Sequence, residues 1–306
     1  MPLLYLSLKS PLARQAEIRH DPSGKAHRQG YPVLHTTQMG QYPIQPHIHQ
    51  GRHTPYQNIA EKLYLRKSME TPLLHTANLQ KSYEGRIILN NITLTLEKGR
   101  LYTIMGHSGS GKTTLLYLLA LLEKPDQGEI FWQGSPLLSL SETEKAHWRN
   151  RNIGFVFQFF HLIAELRAWE NVALPAVIGG ERFDKLRARA LSWLERVGLA
   201  HRAYAFPTQL SGGEQQRIAI ARALFLGPPL ILADEPTGNL DTEQAQQVWA
   251  LFTRLVREEQ TTLLVATHNP TLAQASDERW LLQQGTLHPL TTEVPAAPFL
   301  DFRGTR

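Results

Sequence analysis

The stretch GHSGSGKTT, Gly106 to Thr114, has the residue types and spacing of a loop built to hold phosphate. Its pattern, G-x-x-x-x-G-K-[ST], places Gly106, Gly109 and Gly111 where backbone N–H groups can wrap a phosphate chain, with His107, Ser108 and Ser110 between them. Lys112 can then reach the β and γ oxygens, the Thr113 hydroxyl can ligate Mg²⁺, and Thr114 opens the helix that follows. A magnesium nucleotide needs a second anchor, and LILADEP offers Asp234 directly after four apolar residues. Glu235, one place further, suits a general base that polarises water for attack on a γ-phosphate. Gln158, after IGFVF, can join the metal and water shell through its side-chain carbonyl, and His268, after LLVAT, can donate to a phosphate oxygen. A second anion site is written in LSGGEQQR, where Ser211, Gly212 and Gly213 stand at the mouth of a helix whose first N–H groups are unpaired. The residues alone leave open whether that site serves this chain's nucleotide or a partner's.

These side chains need a frame. From Thr71 the runs LLHTANL, RIILNNITLTL and RLYTIM, separated by YEGR and EKGR, predict strands joined by tight turns, and the third leads through the glycine loop into a helix, TTLLYLLALL. IGFVFQ predicts a strand and the region from about Ala164 to Val197 predicts helix. After LSGGEQQR come its own helix, the strand PLILADEP, the helix EQAQQVWALFTRLVREE and the strand TLLVATH. Unbroken apolar strands alternating with helices imply an α/β fold with a parallel sheet covered on both faces.

In their order along the chain, Tyr83, GHSGSGKT, Gln158, LSGGEQQR, LADEP, GNLD and His268 resemble the ATP-binding cassette ATPases, a likeness covering one complete cassette from about residue 72 to 290. The resemblance implies a P-loop NTPase fold of that type: a mainly parallel sheet flanked by helices, with an antiparallel β subdomain and a helical subdomain at about 160–215. It also implies an ATPase that converts ATP and water to ADP and phosphate, with ATP and Mg²⁺ as ligands. Tyr83 would stack on adenine, Gln158 would sense the nucleotide, Asp234 would hold the metal through water, and His268 would contact the γ-phosphate. Ser211, Gly212 and Gly213 would bind the ATP of the other cassette in a head-to-tail homodimer, and Asp241 would bridge the two sites. EPTGNLD, FVFQFFHLIAELRAWENVALP and LSGGEQQRIAIARAL are most similar to the stand-alone cassettes of the lipoprotein-releasing and macrolide-export group and their cell-division relative. That likeness implies a separate membrane permease and work at the cytoplasmic face of the inner membrane. Phe157, Phe159, Phe160, Leu162, Ile163 and Trp169 fall within thirteen residues, and some of them are expected to line a groove for a short permease helix.

Composition narrows the alternatives. The chain has 306 residues and no cysteine, which removes disulfides, thiolate metal sites and a thiol nucleophile. Its net charge of +5 arises in residues 1–68, where nine Lys or Arg face three acids; the remainder has 23 basic and 24 acidic residues, so no nucleic-acid partner is expected. One phosphate loop and no sustained heptads argue against a cassette acting on ribosomes or DNA, and LSGGEQQR has no place in a P-loop kinase or small GTPase. Residues 1–68, with seven prolines and six histidines, predict a disordered or untranslated leader. Its PHIHQGRH lacks the thiols or clustered carboxylates of a metal site. The domains expected are thus the leader, an ATPase domain at 69–292, and a tail at 293–306. No stretch is long and apolar enough for a membrane span.

Overall fold

The computed structural model describes residues 71–290; the expected leader and the 293–306 tail lie outside the described residues. The strands are β1 (Leu74–Tyr83), β2 (Arg86–Leu96), β3 (Leu101–Met105), β4 (Gln127–Trp132), β5 (Ser135–Pro136), β6 (Ile153–Val156), β7 (Leu230–Asp234), β8 (Thr262–Thr267), β9 (Glu278–Gln283) and β10 (Thr286–Pro289). The helices are α1 (Lys112–Leu119), α2 (Glu142–Asn152), α3 (Ala168–Ile178), α4 (Phe183–Arg196), α5 (Gly212–Leu224), α6 (Thr242–Glu258) and the single turn α7 (Pro270–Ala273).

Two sheets result. A four-stranded antiparallel sheet has the order β2-β1-β4-β5, and a six-stranded sheet has the order β10-β9-β3-β8-β7-β6, parallel from β9 to β6 with β10 antiparallel at the edge. The β1–β2 hairpin closes on Glu84 and Gly85, both at left-handed φ (49° and 79°), whose twist matches that of the flanking strands.

The parallel sheet separates two cores, and the period of two along its strands shows how. Leu230 and Leu232 of β7 and Leu264 and Ala266 of β8 join the core shared with α1 and the antiparallel sheet. Their alternates Ile231, Ala233, Leu263 and Val265 join the core shared with α3 to α6. A strand buried on both faces must be apolar at every position, as LILA and LLVA are. Each fully buried Leu, Ile or Val contributes about 1.5–3 kcal/mol relative to exposure. The consequence for chemistry is that β3, β8, β7 and β6 end along one edge of the sheet, the place where open α/β sheets bind ligands.

The expected helix from Ala164 is corrected: residues 159–167 are loop and α3 begins at Ala168. Leu162, Ile163, Leu166 and Trp169 mimic helical spacing, but buried Asn171 takes the carbonyls of Ile163, Leu166 and Arg167 at 3.1, 2.9 and 3.2 Å and accepts from Ile163 N at 2.7 Å. With the loop's backbone satisfied by a side chain, nothing forces it into helix. The helix after the glycine loop is also shorter than its leucine run, ending at Leu119. β4, β5, α2, β9 and β10 were absent from the expectation.

Candidate active site

The glycine loop joins β3 to α1. Gly109 and Gly111 have φ of 76° and 100°, which glycine alone adopts without strain. At Gly106 a Cβ would lie 2.6 Å from Ser110 Oγ and 2.7 Å from Leu282 O, so the backbone has no room for a side chain. His107, Ser108 and Gly109 are exposed at the rim. Lys112 is buried, and its Nζ donates to the carbonyls of Gly106 (2.8 Å) and His107 (3.1 Å) while lying 3.7 Å from Glu235 Oε1. The ammonium is thus held over the loop it must neutralise. Thr114 is half-buried on the first turn of α1.

Thr113 Oγ1 donates to Asp234 Oδ2 at 2.7 Å, joining the start of α1 to the end of β7. Asp234 Oδ1 is buried with no hydrogen-bond partner among the described residues. Burial pushes the Asp234 carboxyl above the ordinary carboxylate range; the Thr113 hydrogen bond opposes the rise and the neighbouring Glu235 charge adds to it. A buried, unpartnered carboxylate oxygen beside a hydroxyl is a hard-oxygen donor set suited to a divalent cation. No group of three or more His, Asp or Glu among the described residues could hold a metal by itself. A cation here would take its remaining ligands from water and phosphate, as Mg²⁺ does.

Glu235 is the most constrained acid of the site. Its φ of 42° places a non-glycine residue in the left-handed region, a strained conformation that clusters at functional sites. Its N–H is held by Ala266 O (2.8 Å). Oε2 accepts from Thr267 Oγ1 at 2.8 Å, while Oε1 accepts from His268 N at 3.0 Å and lies 2.8 Å from His268 Nδ1. The carboxylate is only 13% exposed, whereas the imidazole is 70% exposed, so His268 steadies Glu235 with one nitrogen and offers Nε2 to the open side.

The other predicted residues lie around this centre. Gln158 donates through Nε2 to Asn239 Oδ1 (3.3 Å), and Asn239 Nδ2 donates to Gln158 O (2.9 Å). That pairing leaves the Gln158 side-chain carbonyl for other partners. Ser211 caps α5: its N–H donates to Glu214 Oε2 at 2.8 Å and its Oγ accepts from Glu214 N at 3.3 Å. This reciprocal box keeps the Ser211 hydroxyl proton available. A hollow of about 450 Å³ opens beside it, lined in part by Ser211, Gly213, Glu214 and Arg217. Asp241 caps α6 through Gln244 N (2.9 Å). No hydrogen bond among the described residues links Ser211, Gly212, Gly213 or Asp241 to the phosphate loop. Tyr83 ends β1, 42% exposed, with its hydroxyl donating to Glu123 Oε2 at 2.5 Å; burial and the Glu123 carboxylate push the phenol up to about 12.

Of the aromatic stripe from Phe157 to Trp169, Trp169 belongs to the core, Leu162 packs against it, and Phe157 stacks on Phe155 at 4.1 Å between centroids. Phe160 and Ile163 are half-buried, and Phe159 is 65% exposed. Thr267 and Glu123 carry no signal in the sequence, and Asn239 stands within GNLD with no role of its own, because a threonine, asparagine or glutamate in a turn or strand end shows its use only when the fold supplies its partner.

A phosphate loop, a strand-end Asp–Thr pair and a fixed glutamate, all at one edge of a parallel sheet, define a P-loop ATPase. The family model described as "ABC transporter" matches residues 89–238. The "Lipoprotein-releasing system ATP-binding protein LolD" of Bordetella pertussis (strain Tohama I) is 46% identical over 222 residues, covering 71% of this chain and 96% of that protein. Its namesake in Colwellia psychrerythraea (strain 34H) is 44% identical over 223 residues, covering 72% and 86%. Among solved structures, a dimeric post-hydrolysis state of the ATP-binding cassette MJ0796 bound to ADP and Pi matches with a TM-score of 0.64 at 38% identity, covering 70% of this chain and 96% of that one. CbiO1 from Clostridium perfringens, part of a cbiONQ transporter complex, matches with a TM-score of 0.64 at 27% identity, covering 71% and 87%. The chain belongs to the ABC transporter family, as an ATP-binding and ATP-hydrolysing subunit.

Proposed function

We propose that this subunit powers a lipoprotein-releasing or related export system, acting as a head-to-tail homodimer beneath a separate permease at the cytoplasmic face of the inner membrane. The near-complete coverage of relatives named for lipoprotein release carries this reading. Affinity purification of the full chain from detergent-solubilised native membranes is expected to recover membrane-spanning permease subunits together with acylated proteins. Recovery of soluble partners alone would contradict it.

Within the site, Gly106 to Thr114 hold the phosphates, with Lys112 on the β and γ oxygens and Tyr83 against the adenine. Thr113, Asp234 and Gln158 would hold Mg²⁺, which would supply charge neutralisation on the transferring phosphate. Glu235 accepts the proton of the attacking water, and His268 contacts the γ-phosphate. Ser211, Gly212 and Gly213 close over the partner's nucleotide, and Asp241 joins the two sites. The metal assignment has a thermodynamic test. A buried carboxylate with an orphan oxygen destabilises the chain until a cation pairs with it. Asp234→Asn is therefore expected to raise the melting temperature of the metal-free protein by roughly 2–4 °C, the equivalent of about 1 kcal/mol in a chain of this size. It should also abolish the further rise that Mg-ATP gives the unmodified chain. An unchanged Mg-ATP response by differential scanning fluorimetry would remove Asp234 from the metal site.

For the permease contact, Phe159 is the residue that the fold leaves exposed. Phe159→Ala should weaken permease co-purification by about 2 kcal/mol without lowering the melting temperature, since the side chain is not part of either core. An intact complex would place the docking surface elsewhere.

A further inference from the structure

The loop that follows Gln158 is held by a residue with no role in the chemistry so far described. Arg222, in the last turn of α5, donates from Nη1 to His161 O at 2.6 Å and from Nη2 to Phe160 O at 2.8 Å. No carboxylate pairs with it among the described residues, and burial pushes the guanidinium down to about 10. Arg222 is half-buried, and a partly desolvated cation held by two backbone carbonyls is costly to keep; here both carbonyls belong to one loop. His161 itself sits at a left-handed φ of 48°, so the loop is held in a conformation that a free chain would leave.

The side chain of the same Phe160 lies beside the signature. A Cβ placed on Gly212 would lie 3.6 Å from Phe160 Cζ and 3.4 Å from Leu240 Cδ2. Gly212 and Arg222 are ten residues apart on α5, roughly 15 Å along its axis. The Arg222 side chain and Phe160 together bridge that length: the guanidinium holds the Phe160 carbonyl, and the ring tip lies beside Gly212 in the first turn. Leu240 follows Asn239, which is hydrogen-bonded to Gln158. Gln158, Asn239, Leu240, Gly212 and Phe160 thus form a closed circuit of contacts between the two loops and the signature.

We propose that Arg222 is a positioning residue that locks the loop after Gln158 onto the signature helix, so that Gln158 at one nucleotide and Gly212 at the other are placed together. The inference rests on the head-to-tail reading above and adds to it the residue that ties the two halves of each subunit's contribution. It differs from a packing role in what it moves. The charge-assisted bonds to Phe160 and His161 fix the loop and leave the phosphate loop untouched.

The test uses the full chain with Arg222→Met, which keeps the length of the side chain and removes every donor, and Arg222→Lys, which keeps the charge and a smaller set of donors. Hydrogen exchange followed by mass spectrometry should show peptides covering 159–167 exchanging about tenfold faster in the Met variant, the factor expected when hydrogen bonds to a charged group are lost. Peptides from the middle of α5 should stay protected. Nucleotide affinity of the monomer should change by less than about twofold, while the protein concentration needed for Mg-ATP-driven dimerisation rises about tenfold. The Lys variant should recover part of both effects. Loop exchange equal to the unmodified chain in both variants would overturn the proposal. So would a Met variant that loses α5 protection, nucleotide binding and dimerisation together, since that is the behaviour of a residue that merely packs. If the Met variant does not fold, the Lys variant decides: faster loop exchange with a protected α5 supports the proposal, and unchanged loop exchange overturns it. An unmodified chain that binds ATP but never dimerises would overturn the head-to-tail reading instead.

Discussion

Glu235→Gln is expected to slow ATP hydrolysis by about 10²- to 10⁴-fold, the usual worth of a positioned general base, and to accumulate an ATP-loaded dimer. The geometry explains why this change should leave the fold alone. The amide keeps one acceptor oxygen, which can take the two His268 nitrogens now facing Oε1. Its NH₂ then points toward Thr267, whose hydroxyl can turn from donor to acceptor. What the amide cannot do is receive the proton of the attacking water. In the proposed head-to-tail dimer ATP is bound across two chains and so favours their association, and a site that binds without turning over shifts the equilibrium to the dimer. Unchanged hydrolysis, with gel filtration in Mg-ATP showing monomer alone, would show that Glu235 is not the base.

Lys112→Ala should act earlier, on binding. The ammonium is buried over the loop, within reach of the Gly106 and His107 carbonyls and 3.7 Å from Glu235, in a loop otherwise made of backbone donors. Truncating one partner of a buried charge pair costs about 2–5 kcal/mol, so nucleotide affinity should fall roughly 30-fold or more. Alanine is the best helix former and the substituted position opens α1, but the Gly106 and His107 carbonyls and Glu235 lose the ammonium, so thermal stability without nucleotide should fall as well, and binding is read on protein shown to be folded. Titration with a fluorescent ATP analogue reads the loss. Affinity within a few-fold of the unmodified chain would show that Lys112 does not hold the phosphates.

The parts of this molecule legible in its sequence are those where one segment states its own environment. LILAD and TLLVAT read as strands buried on both faces because each position is apolar, and the structure divides their alternate residues between two cores. The glycine loop was legible because its φ values and close backbone approach demand glycine. Segments that depend on a distant partner were not. QGEIFW, β4, alternates polar and apolar only weakly and becomes a strand by pairing with β1. The stretch after Gln158 has helical spacing, yet is held as loop by Asn171 and by Arg222, some sixty residues away in sequence. The same limit applies to the site. Asp234 and Glu235 stand out after their strand, whereas Thr267, which fixes Glu235 from β8, is one threonine among many until β7 and β8 are paired.

The central claim is that each working site is assembled from the phosphate loop of one chain and the signature of another. Mixing two inactive variants tests it most directly. Lys112→Ala disables the loop. Ser211→Asp disables the signature by setting a carboxylate where a phosphate must sit, while aspartate remains a good helix cap and preserves α5. In a mixed head-to-tail dimer one site carries both lesions and the other carries neither. ATPase activity is therefore predicted to return on mixing, to roughly a quarter of that of the unmodified protein if the chains pair at random and the sites act independently. A mixture as inactive as its two components, with mixed dimers demonstrated by native mass spectrometry, would contradict the account.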